Sequence, residues 1–172
     1  MRRVVYSVAA SLDGYIAGTG GEFDWIPEEP EIDWAAFMGR FDTALMGRGT
    51  YEVMVDPQTR AVLPEMRVYV FSRTLRAADH PQVTVIADNV AQVVTGLREQ
   101  PGKDIWLVGG GVLFRSLLDA GLVDVVEVAV VPILLGQGIP LLPAVSPPTR
   151  LALVDSRVYP SGIVLLTYNV GG

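Results

Sequence analysis

The chain alternates short runs of β-branched and other apolar residues with amphipathic segments of helical period, and glycine stands at several junctions between them. In IWLVGGGVLFRSLL, residues 105–118, three consecutive glycines separate a strand-like run from a helix-like one. Strands that alternate with helices favour a mostly parallel sheet with helices on both faces. Because glycine gives up packing and costs backbone entropy, three of them at one junction need a reason.

Apolar periodicity predicts the order of the elements along the chain. Strand-like runs occupy residues 2–9, 43–47, 67–72, 83–87, 103–108, 123–135, 150–159 and 163–170, the last two as a terminal hairpin. Helix-like segments occupy residues 31–40, 48–55, 89–100 and 111–121. Thr50 and Asn89 are the expected N-caps, and Gly121 is the expected helix stop. This order predicts an α/β fold with one mixed, eight-stranded sheet.

Length and composition favour a single domain over residues 1–172, with half of the residues hydrophobic. The net charge of −6 disfavours binding to nucleic acid or to an anionic membrane. The absence of cysteine excludes disulfides and thiolate metal sites, and no metal site is expected. The start MRRVVYSVAASLDG looks superficially like a signal peptide, but Asp13 interrupts its short apolar stretch. A cytoplasmic protein is therefore expected.

Two further junctions carry groups that suit phosphate binding. LMGRGTYE, residues 45–52, runs through glycine into a helix, and VFSRTL, residues 70–75, ends a strand with polar side chains. Carboxyl ends of parallel strands meet at one edge of a sheet, where helix N-termini bind anions. The junctions together predict a cradle for several phosphates. The alternative is tight turns with close helix–sheet packing, and arginines that are ordinary surface charges.

Two well-known glycine motifs do not fit the triple glycine. A P-loop ends in Gly-Lys-Ser/Thr, whereas Val112-Leu113 follows here. A Rossmann fingerprint requires a further glycine where Phe114 stands, and it normally opens its domain.

The motifs SLDGYIAG, FDW, LMGRGTYE, FSRT, WLVGGGVLF and VVPILLGQGIPLLP follow one another in this order. In this order and spacing the chain resembles the dihydrofolate reductase-like superfamily over essentially its whole length. It is most similar to the C-terminal reductase domain of the riboflavin-biosynthesis (RibD) deaminase-reductases and to its stand-alone relatives. The resemblance implies a three-layer fold and an NADPH-dependent oxidoreductase. The implied substrate is a small heterocycle of pyrimidine or pterin type.

The resemblance also implies the residues that hold the cofactor. It implies that the pyrophosphate region is bound by Gly47, Arg48, Gly49 and Thr50. It also implies that the adenosine 2′-phosphate is bound by Ser72, Arg73 and Thr74. The triple-glycine turn with the start of its helix approaches the pyrophosphate and the nicotinamide ribose through Gly109, Gly110, Gly111, Val112 and Leu113. The family has a cis peptide between two such glycines. The nicotinamide pocket falls to Ala9, Ala10 and Ile16.

Candidate substrate residues lie in the first loops. Dihydrofolate reductases hold the pterin ring with a helix carboxylate, and the register places Glu31 there, with Asp33 as the neighbouring choice. Carboxylates in a first helical turn also favour the helix dipole without any further function. Asp13 is either a turn residue or a wall of the pocket. Trp25 either stacks on the substrate or closes the core.

Three functions remain open at this point. The first is a reductase similar to 5-amino-6-(5-phosphoribosylamino)uracil reductase, and the second is dihydrofolate reductase proper. Phe114 stands where dihydrofolate reductases commonly have a tyrosine. The third is a non-catalytic nucleotide-binding module on the same fold. A homodimer is also expected, from family habit and from the apolar strand 123–135, which is either buried or part of an interface.

Overall fold

The computed structural model describes residues 1–59, 61, 63–143 and 147–171, and its centre is one eight-stranded sheet. The ten strands are β1 (Val4–Ser11), β2 (Tyr15–Ala17), β3 (Phe41–Gly47), β4 (Arg67–Phe71), β5 (Thr84–Ile86), β6 (Asp104–Gly109), β7 (Val125–Val131), β8 (Ile139–Pro140), β9 (Leu151–Val158) and β10 (Val164–Val170). The helices are α1 (Trp34–Gly39), α2 (Arg48–Val55), α3 (Val90–Glu99) and α4 (Gly111–Asp119). Among the residues that the structure describes, a 3-10 turn spans Ala77–Asp79.

The strands of the large sheet follow the order β5-β4-β3-β6-β1-β7-β10-β9. The first six in this order are parallel to one another, β10 is antiparallel to β7, and β9 is antiparallel to β10. The predicted fold class and the terminal hairpin are therefore confirmed. The small second sheet of β2 and β8 was not predicted. It joins the loop after β1 to the loop after β7.

Helices cover both faces of the sheet, as expected. Helices α3 and α4 pack on one face in a cluster that includes Tyr6, Val94, Leu97, Leu107 and Leu117. Helices α1 and α2 pack on the opposite face, in clusters that include Phe37, Met46, Tyr51, Val70 and Trp106. Within the described residues, no helix is both long enough and apolar enough to span a bilayer.

The structure corrects three details of the sequence interpretation. The strand predicted at 123–135 is shorter, and it lies between β1 and β10 with its side chains packed inside the chain. It therefore gives no evidence for a subunit interface. Helix α2 begins after Gly47 rather than Thr50. Asn89 is the N-cap residue of α3, as predicted, but its side chain makes no cap hydrogen bond. Gly121, at φ +67°, does end the helix before it.

Candidate functional site

A cleft of about 1740 Å³ opens at the carboxyl ends of the parallel strands. The sequence predicts a ligand site at this edge of the sheet. Gly47 and Phe71 are register partners at the ends of β3 and β4, and Met46 pairs with Gly109 at the end of β6. Gly47, Phe71 and Gly109 all line the cleft. Three glycine or polar junctions that are far apart in sequence thus form one continuous edge.

Most of the predicted cofactor residues line this cleft: Ala9, Ile16, Gly47, Arg48, Gly49, Thr50, Ser72, Arg73, Gly109, Gly110, Gly111, Val112 and Leu113. Ala10 does not. Side chains alternate along β1, and Ala10 faces the core under α3 and α4. Thr74 lies beside the cleft, where its hydroxyl accepts a hydrogen bond of 2.8 Å from Arg48 Nη1.

The three consecutive glycines meet different constraints. Gly109 has φ +147°, a conformation that residues with a Cβ rarely adopt, and its peptide bond to Gly110 is cis. A Cβ on Gly111 would lie 2.7 Å from Pro143 Cδ and 2.8 Å from the Pro140 carbonyl oxygen. The chain itself therefore requires a glycine at 111. The close-packing alternative therefore explains this position without any contact to a bound dinucleotide.

Three helices point uncapped N-termini at the cleft. Their N-cap residues are Gly47 for α2, Asn89 for α3 and Gly110 for α4, and none provides a side-chain cap hydrogen bond. All three residues line the cleft. Backbone N–H groups of a first helical turn have no intrahelical partner, and the helix dipole favours an anion beside them. Asn89 was missed as a site residue, although it stands between a predicted strand and a predicted helix.

Two arginines flank these N-termini, and their surroundings differ. Arg48 is partly fixed, because its Nε donates to Glu52 at 2.7 Å while its Nη1 donates to Thr74. Arg73 is 84% exposed, and its nearest carboxylate oxygen, on Asp88, lies 3.6 Å from Nε. Arg73 is thus the cation that is more available to an incoming anion.

The other end of the cleft is built by α1 and β7. Trp34, Phe37 and Arg40 recur at helical spacing and all line the cleft. Glu127, buried in β7, accepts hydrogen bonds from Arg40 at 2.6 Å and 3.1 Å. Sequence reasoning missed this pair. The available signal was a carboxylate inside the apolar run VDVVEVAVV.

The acidic segment before α1 contributes a different carboxylate from those proposed. Glu31 is exposed and lies outside the cleft lining, and Asp33 is the N-cap of α1, accepting from the Ala36 N–H at 2.8 Å. Glu29 is buried and lines the cleft, and it accepts from the backbone N–H groups of Glu31 and Ser161, both at 3.0 Å. Hydrogen bonds, first from the Ser161 side chain, lower the pKa of Glu29.

Asp13 and Trp25 make contacts within the protein and lie outside the cleft lining. Asp13 accepts from the Ser11 hydroxyl at 2.6 Å and from the N–H of Gly136 at 2.7 Å, which joins two loops. The Ser11 hydroxyl is also the main cause of the lowered pKa of Asp13. Trp25 packs in the cluster around Val131, as the core alternative predicted, and donates from Nε1 to the Glu22 carbonyl at 3.0 Å.

In the described part of the chain, no group of three or more His, Cys, Asp or Glu residues could hold a metal ion. His80, the single histidine, is half-buried and shares a hydrogen bond of 2.9 Å with the Tyr51 hydroxyl. The polar groups that line the cleft therefore include backbone N–H groups, arginines and the ion pair of buried Glu127 with exposed Arg40.

Comparisons with known proteins agree with this architecture. The RibD C-terminal domain matches residues 2–165. The protein YyaP of Bacillus subtilis (strain 168) is 36% identical over 99% of this chain and 96% of its own length. The crystal structure of a putative riboflavin biosynthesis protein from Shewanella sp. PV-4 superposes with a TM-score of 0.82, at 27% identity, over the full length of both chains.

A dihydrofolate reductase from Enterococcus faecalis shares the fold, with a TM-score of 0.67 and 20% identity over 99% of this chain and 97% of its own. The eight-stranded sheet, its helices on both faces and its antiparallel hairpin are thus those of the dihydrofolate reductase-like fold. With a family match over nearly its whole length, the chain belongs to the RibD C-terminal domain family.

Proposed function

We propose that this protein is a reductase that uses NADPH to reduce a small heterocycle of pyrimidine or pterin type. The observation that carries the proposal is the row of three uncapped helix N-termini along one edge of the cleft. Two arginines lie beside these N-termini. A dinucleotide phosphate has several anionic groups that could bind to the N-termini and the arginines. The Enterococcus faecalis dihydrofolate reductase, which has this fold, has a solved structure in complex with NADP(H).

The residues fit such a cofactor. The α2 and α4 N-termini would hold the pyrophosphate, and the space beside Gly49 is open, with no heavy atom within 4 Å of its Cβ position. Ser72 and Arg73 would hold the 2′-phosphate, since Arg73 is exposed and lies at the end of β4. Ala9 and Ile16 would line the nicotinamide pocket. When bound, NADPH supplies the hydride.

The protein itself contributes orientation and exclusion of water. Apolar and aromatic residues dominate the substrate end of the cleft: Ile26, Ile32, Phe37, Trp106, Tyr159 and Ile163. The segment before α1 is held over this end because Glu29 accepts from the backbone of the turn between β9 and β10. An apolar surface that excludes water from one side of a flat substrate limits the orientations in which the substrate can face the nicotinamide.

Titration with NADPH and NADH, followed by turnover assays, tests the proposal. We expect NADPH binding and oxidation of NADPH with a pyrimidine such as 5-amino-6-(5-phosphoribosylamino)uracil or with a related unphosphorylated heterocycle. Turnover of dihydrofolate, but of no other compound in the panel, would identify a dihydrofolate reductase instead. NADPH binding without turnover of any compound in the panel would favour a nucleotide-binding module. Absence of NADPH binding would refute the cofactor assignment.

We also propose a homodimer that is paired through β9, whose second edge has no partner strand among the described residues. Antiparallel pairing centred on Ser156 would place Asp155 opposite Arg157 of the partner subunit. Val158 is 73% exposed in the single chain. Sedimentation should give a dimer that Val158→Lys dissociates, and a wild-type monomer at micromolar concentration would exclude this pairing.

A further inference from the structure

The substrate end of the cleft contains an ion pair between Arg40 and Glu127. Glu127 is 5% exposed, and its register partner on β1 is Ser7, which also lines the cleft. Arg40 reaches it from the end of α1 and places one nitrogen on each carboxylate oxygen. Glu127 is buried while the Arg40 side chain is 38% exposed, so the carboxylate carries most of the desolvation cost, and an apolar residue of similar size is often as stable as a buried charge. An ion pair that lines a cleft is therefore a candidate for ligand recognition.

The arginine is held rigidly in place. Its guanidinium carbon lies 4.9 Å from the centre of the Phe41 ring and 5.6 Å from that of Phe37. With the two hydrogen bonds to Glu127, these ring contacts fix the plane of the guanidinium. Side chains that are already ordered lose little entropy when a ligand binds.

The pair has hydrogen-bonding capacity left. Each carboxylate oxygen can accept a second hydrogen bond, and a guanidinium has more N–H groups than Glu127 uses. In the described part of the chain, Arg40 makes side-chain hydrogen bonds to Glu127 alone. An unused acceptor and an unused donor thus lie side by side. The matching ligand edge has an N–H next to a C=O, which is the edge of a lactam.

We propose that Arg40 and Glu127 recognise the lactam edge of an uncharged, planar heterocycle, with Glu127 accepting from the ring N–H and Arg40 donating to the adjacent carbonyl. The proposal deepens the reductase function above and rests on it. Because Glu127 neutralises Arg40, the pair carries no net charge and gives an anionic group no preference over a neutral one. Specificity comes from the pattern of donor and acceptor.

The aromatic wall of α1 suits the same class of ligand. Trp34 is 59% exposed although it is a large aromatic residue, and it lines the cleft. Its ring meets that of Phe37 edge to face, with the centroids 5.8 Å apart. Flat heterocycles stack on such faces, and a lactam in the same plane would direct its polar edge toward the neighbouring ion pair.

Lumazine and 1,3-dimethyllumazine test this recognition directly, because the methyl groups remove both lactam N–H donors and leave the carbonyls. Each compound is titrated by fluorescence into protein saturated with NADP⁺, after NADPH and NADP⁺ binding has been measured separately. We expect lumazine to bind wild type at least about tenfold more tightly, since lost hydrogen bonds to a charged group have effects of this size.

Two variants and one control make the test specific. Glu127→Gln should reduce the preference for lumazine at least about threefold, and the double variant Arg40→Met with Glu127→Met should reduce it to about one. The double variant leaves no unpaired buried charge and should therefore fold. It can still be measured if the single variant does not fold. Asp104→Asn, which breaks the Arg3–Asp104 pair away from the cleft, should leave the preference unchanged.

Several outcomes would overturn the inference. These are equal binding of the two compounds, no binding of either to wild type, or an unchanged preference in a folded double variant. A purely structural ion pair would lower thermal stability in the variants without changing the preference. If NADPH binds and the lumazine preference is absent, this inference fails and the reductase proposal stands. If NADPH does not bind, the reductase proposal fails, and the same titrations are repeated without dinucleotide to test the lactam recognition.

Discussion

Replacing Arg73 with alanine should separate the two nicotinamide cofactors. Its side chain is 84% exposed and only loosely paired with Asp88, so its guanidinium can reach the 2′-phosphate that distinguishes NADPH from NADH. Hydrogen bonds to charged groups contribute about 1.5–3 kcal/mol when well formed, and exposed ion pairs about 0–1 kcal/mol. For such an exposed side chain we expect a loss of about 1–2 kcal/mol, or roughly five- to thirtyfold in affinity for NADPH.

Calorimetric titration of wild type and Arg73→Ala with both cofactors measures this difference. Affinity for NADH should change less than about twofold, because NADH has no 2′-phosphate. Arg76→Ala is the matched control, since Arg76 lies three residues further on, is similarly exposed and does not line the cleft. Equal losses for NADPH and NADH, or an equal loss in the Arg76 variant, would refute the assignment of the phosphate site.

Three further outcomes follow from the geometry. Gly111→Ala should lower the free energy of unfolding by about 1–3 kcal/mol in thermal melts, because its Cβ would overlap neighbouring backbone and ring atoms. Gly49→Ala, with open space at its Cβ, should leave stability unchanged or raise it slightly, and equal destabilisation would contradict the packing argument. Glu29→Gln should destabilise at neutral pH, and this deficit should shrink as pH falls, because a lowered carboxyl pKa stabilises only above that pKa. Denaturation at several pH values measures it, and a deficit independent of pH would argue against the ionised form.

Most of the fold is readable from the sequence because its signals are local. β-Branched runs, helical spacing and glycine at the junctions define the large sheet and four helices within a few residues. The pairing of β2 with β8 is different. Strands of two and three residues, separated by about 120 positions, carry no periodicity, and only the folded chain brings them together.

The residues of the site could be predicted from the sequence where their position depends on the backbone. They were harder to predict where it depends on the direction of a side chain. Strand ends and helix N-termini follow from topology, so the edge of the cleft where we propose that the cofactor binds was predictable. The acidic segment before α1 is irregular, and nothing local distinguishes buried Glu29 from exposed Glu31. Trp34 rather than Trp25 lines the cleft, since the start of α1 sets which aromatic side chain faces it. Glu127 needed the register of β7 against β1.

The two ends of the cleft should respond differently to ionic strength. Arg48 and Arg73 lie in solvent, where salt at physiological concentration screens charges over about 8 Å. The Arg40–Glu127 pair is internally compensated, and its carboxylate is shielded by protein. Added salt should therefore slow and weaken capture of a phosphate-bearing ligand while leaving capture of a neutral heterocycle nearly constant.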